Sequence, residues 1–110
     1  MLIHEAKKVI QIETRAIANL SRQINKEFLK AVELMSKCKG RVVVTGMGKA
    51  GLIGNKIAAT LSSTGTPSIS MHSADAVHGD LGQVTKDDVL IILSNSGETE
   101  ETKRIIPRIW

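Results

Sequence analysis

Apolar residues recur at positions 2, 3, 6, 9, 10, 16, 17 and 20, with glutamates and lysines between them. That spacing predicts an amphipathic helix from Leu2 to Leu20. Asn25 stands where a cap would start a second helix, with Ile24 placed to staple against Leu29 and an apolar face of Phe28, Leu29, Val32 and Met35. Gly40 predicts where that helix stops. The period then changes. Arg41 to Thr45 is β-branched on consecutive rather than alternate positions, the mark of a strand covered on both faces. Residues 50 to 62 return to helical spacing with Leu52, Ile53, Ile57, Ala58 and Leu61, and Thr64-Gly-Thr-Pro67 breaks the run. Ser68 to Met71 reads as a short strand, Ser73 to Val77 as a helical turn, Asp88 to Leu93 as a strand and Thr99 to Ile109 as a helix.

Strand and helix in alternation predict an α/β fold: a three-layer αβα sandwich on a parallel sheet, with right-handed crossovers and two helices ahead of it. Residues 1–39 form the helical lead-in and residues 40–110 the βα units. Three strands leave an edge to be covered, so the chain is expected to be the N-terminal half of its domain, completed by further strands or by a partner copy.

The chain has 110 residues, 42% apolar and 24% charged, a globular composition of single-domain length. Its longest uncharged apolar runs fall far below the roughly 20 residues of a membrane-spanning helix. The opening residues mix acids and bases where a signal peptide would be apolar, and Cys38 is the only cysteine, so a reducing cytoplasm is expected, without disulfides or zinc clusters. The net charge of +4 is carried by residues 1–39, where bases are dispersed among acids. With one Phe, one Trp and no Tyr, the chain is not expected to bind nucleic acid.

Chemistry gathers at two turns. Gly46-Met-Gly48-Lys-Ala-Gly51 is a literal G-x-G-x-x-G between strand and helix, where backbone can approach a phosphate at a helix N-terminus. The acid that a dinucleotide's ribose requires at the end of the second strand is missing from Ser70-Met-His72, and Lys49 within the loop suits a small anion better. A tight turn without a ligand is the bland alternative. Ser94-Asn-Ser-Gly-Glu-Thr99 follows the third strand with three hydroxyls, of which helix capping accounts for one. Both turns belong to the carboxyl edge of the sheet, the ligand edge of open α/β sheets. Near them are expected Ser63 and Thr64 of Ser62-Ser-Thr-Gly-Thr66, and His78 of the stretch His72 to Gly82; no metal site is expected there, and His4 belongs on a helix surface.

Taken together, Gly46–Gly51, Ser63-Thr-Gly-Thr-Pro67, His78-Gly-Asp-Leu-Gly82 and Ser94-Asn-Ser-Gly-Glu-Thr-Glu-Glu101 resemble the sugar isomerase (SIS) domain family, a flavodoxin-like or Rossmann-like fold. Within it the chain is similar to the D-arabinose 5-phosphate isomerases over nearly all of residues 1–110. The resemblance implies interconversion of D-arabinose 5-phosphate and D-ribulose 5-phosphate for synthesis of Kdo and lipopolysaccharide, without a cofactor. It implies a phosphate site at Gly48, Ser63, Thr64, Ser94, Asn95, Ser96 and Thr99, catalytic roles for Lys49, His78 and Glu101, and assembly into dimers or tetramers with the N-terminal helices at the contact. Ala50 departs from the usual serine, and Ser73 and Asp75 from a proline and a glutamate. Family domains continue for at least two further strands and a helical part, often followed by paired CBS modules, so activity is expected of the longer parent rather than of these residues alone. A non-catalytic SIS module that senses a phosphosugar is the alternative; it would need no base at position 101.

Overall fold

The computed structural model describes residues 1–72 and 80–94. In chain order these form α1 (Leu2–Leu20), a short 3-10 turn (Ser21–Gln23), α2 (Lys26–Ser36), β1 (Val42–Gly46), α3 (Lys49–Ser63), β2 (Ser68–His72), a second 3-10 turn (Asp80–Gln83) and β3 (Val89–Leu93). The helical turn expected at Ser73–Val77 and the helix expected at Thr99–Ile109 lie outside the described residues.

The chain divides into two compact units, residues 1–34 and residues 35–110. In the first, α1 spans the predicted residues and buries none of them. Asn25 caps α2 as expected: its Oδ1 accepts hydrogen bonds from the amides of Glu27 (3.0 Å) and Phe28 (3.3 Å). Of the apolar face expected on α2, Met35 packs into a core, while Phe28, Leu29 and Val32 are exposed. The helix ends at Ser36, four residues before Gly40. Gly40 serves the sheet instead. Its amide donates to the Asp87 carbonyl at 2.9 Å, and a Cβ there would stand 2.9 Å from that same carbonyl group.

In the second unit the three strands form one parallel sheet in the order β2-β1-β3. Central β1 is buried along its whole length, which is why its apolar residues are consecutive. Val42 and Val44 pack with Ala58, Ile57 and Leu61 of α3 on one face, and Val43 packs with Met71, Leu90 and Ile92 on the other. Helix α3 lies on the first face with Gly54 and Ala58 buried. Of the apolar residues at helical spacing in α3, Ile57, Ala58 and Leu61 pack in the core, while Leu52 and Ile53 are exposed. The approach explains the difference: a Cβ on Gly54 would come within 3.2 Å of Val44 Cγ1, so the small residues at 54 and 58 set the contact line and turn the larger ones outward.

The amino end of the sheet is closed by Asp88. Its carboxylate accepts the Arg41 amide at 2.7 Å and the Thr85 amide at 2.8 Å, and these two bonds hold its pKa below the usual carboxylate value. The Cys38 thiol, at 3.3 Å from the Asp87 carbonyl oxygen, belongs to the same closure.

Candidate functional site

The strand register sets the geometry of the carboxyl rim. Gly46 of β1 pairs with His72 of β2 on one side and with Leu93 of β3 on the other, so all three strands end level. Neighbouring strands stand about 4.8 Å apart. Met47, which opens the glycine turn, and Ser94, which opens the serine loop, therefore leave the sheet side by side. Because the order is β2-β1-β3, the chain leaves β1 toward one side and later returns on the other. The gap between β1 and β3 is thus the topological switch point, where open α/β sheets bind ligands.

The three glycines of the turn are required for different reasons. A Cβ on Gly46 would lie 2.9 Å from the Ala50 carbonyl carbon, and one on Gly51 would lie 2.8 Å from the Gly46 carbonyl oxygen, so the two pack backbone to backbone where α3 leaves the sheet. Gly48 has open space around it but a φ of 55° and ψ of −124°, a conformation side chains disfavour. This turn starts α3 without a side-chain cap and without an acid in its first turn. The amides of Ala50 and Gly51 both donate to the Met47 carbonyl, at 3.1 and 3.4 Å. Those of Gly48 and Lys49 have no hydrogen-bond partner among the described residues. Lys49, the first residue of α3, is exposed there. Two amides unpaired among the described residues, an ammonium group and the positive end of the helix dipole make a place that favours an anion.

Of the residues singled out from the sequence, Gly48, Lys49 and Ser94 share this rim. Ser63 and Thr64 do not. They lie at the other end of α3, a 15-residue helix and so about 22 Å long. Their hydroxyls are engaged there: Ser63 donates to the Thr60 carbonyl at 3.0 Å and Thr64 to the same carbonyl at 2.7 Å. The strand-helix-strand path carries the chain back to the amino end of the sheet before β2 begins, so within this chain they face away from the glycine turn. His78, Asn95, Ser96, Thr99 and Glu101 lie outside the described residues.

One residue of the stretch His72 to Gly82, expected near the site, is described at the rim. His72 ends β2 level with Gly46, exposed, and its Cδ2 is 3.7 Å from the point a Cβ on Gly51 would occupy. Among the described residues no three His, Cys, Asp or Glu side chains gather where they could hold a metal ion.

Comparison with known proteins gives this geometry a family. Residues 34–109 match the model of the SIS domain. The chain belongs to the SIS domain family. Among curated proteins it is 54% identical over 107 residues to the arabinose 5-phosphate isomerase KdsD of Pseudomonas aeruginosa, a match covering 97% of this chain and 33% of that protein. It is 54% identical over 101 residues to KdsD of Escherichia coli K12, covering 92% of this chain and 31% of that protein. The chain spans about a third of the length of these relatives. Among solved structures, E. coli CFT073 c3406 in complex with arabinose 5-phosphate superposes with a TM-score of 0.92 at 45% identity, covering 98% of this chain and 57% of that one. The parallel α/β fold expected of an SIS domain is thus found both in the strands and in the neighbours.

Proposed function

We propose that this chain is the phosphate-gripping part of an aldose-ketose isomerase that interconverts D-arabinose 5-phosphate and D-ribulose 5-phosphate. The observation that carries the reading is the level rim, where the Gly48 and Lys49 amides, unpaired among the described residues, and Lys49 stand on the strand end next to that of Ser94 at the switch point. The naming of the 54%-identical relatives and the arabinose 5-phosphate held by the structural neighbour supply the sugar. A phosphomonoester needs several converging donors, and Asn95, Ser96 and Thr99 extend the serine loop in that sense.

The reaction moves a carbonyl between C1 and C2. A base removes the proton from the carbon beside the carbonyl, and a donor stabilises the enediolate oxygen that forms. Glu101 is the proposed base, Lys49 the charge that meets the enediolate, and His78 the group that relays protons or orients sugar hydroxyls. The product would supply Kdo and lipopolysaccharide synthesis in the cytoplasm. The full-length parent is the protein to assay. It should turn over D-arabinose 5-phosphate, and Glu101→Gln should lower kcat by about 10²- to 10⁴-fold while substrate still binds. Binding of the sugar phosphate by the unaltered protein without turnover would make it a sensing module instead.

A further inference from the structure

No further inference is drawn: the strongest candidate, the exposed His72 side chain at the carboxyl end of β2 beside the glycine turn, belongs to the site already described.

Discussion

At the scale of single residues, the turn that makes the site is held by backbone rather than by side chains. Gly48 has a positive φ and no neighbour within 4 Å, so the objection to a larger residue there is conformational, not steric. Gly48→Ala should lower stability by about 1–2 kcal/mol in urea unfolding. An unchanged midpoint would show that the turn relaxes into another conformation. Asp88 permits a pH experiment. Its carboxyl ionises below the unfolded value of about 3.9 because the Arg41 and Thr85 amides bond the charged form. The stabilisation is therefore complete above about pH 4 and is lost as pH falls through the folded value. Asp88→Asn should be less stable than the parent at pH 7, with the gap closing toward pH 3. A gap equal at both pH values would assign the effect to packing.

At the scale of elements, legibility followed the strength of the local signal. Helix α1 and strands β1 and β3 were readable because hydrophobic period and β-branching agree over whole segments. The Asn25 cap was readable because its bond is local, and Asn25→Ala should cost about 1 kcal/mol, measurable as a fall in thermal midpoint. The buried line of α3 was readable only in part. Helical spacing ranks Leu52 and Ile53 with Ile57, Ala58 and Leu61, whereas the close approach to Val44 selects glycine and alanine, and closeness is a property of two elements together. Gly54→Leu should therefore destabilise by about 3 kcal/mol or more by forcing α3 off the sheet. Stability unchanged in that variant would mean that the helix shifts freely. Ser63 and Thr64 show the same limit for the site: hydroxyl-rich sequence near a glycine turn says nothing about which end of the helix carries it. His72 shows the converse, since its expected place at the end of the second strand is met by the level register of three strands.

At the scale of the molecule, three parallel strands ending level put a glycine turn and the sequence-distant Ser94 at one switch point. The relatives are about three times as long, so under the proposed function the full-length parent is the form in which the rim's grip on a phosphate is measured. A ligand that binds only the folded protein at ten times its Kd adds about 1.4 kcal/mol of stability. D-arabinose 5-phosphate should raise the thermal midpoint accordingly. D-arabinose, lacking the monoester, should not. Lys49 is exposed, so Lys49→Gln should leave the unliganded midpoint within about 0.5 kcal/mol of the parent and remove most of the ligand's increment. The increment should also shrink with added salt, since part of the attraction is between exposed charges. If D-arabinose stabilised as well as its phosphate, or Lys49→Gln kept the full increment, the rim would not be where the anion is held.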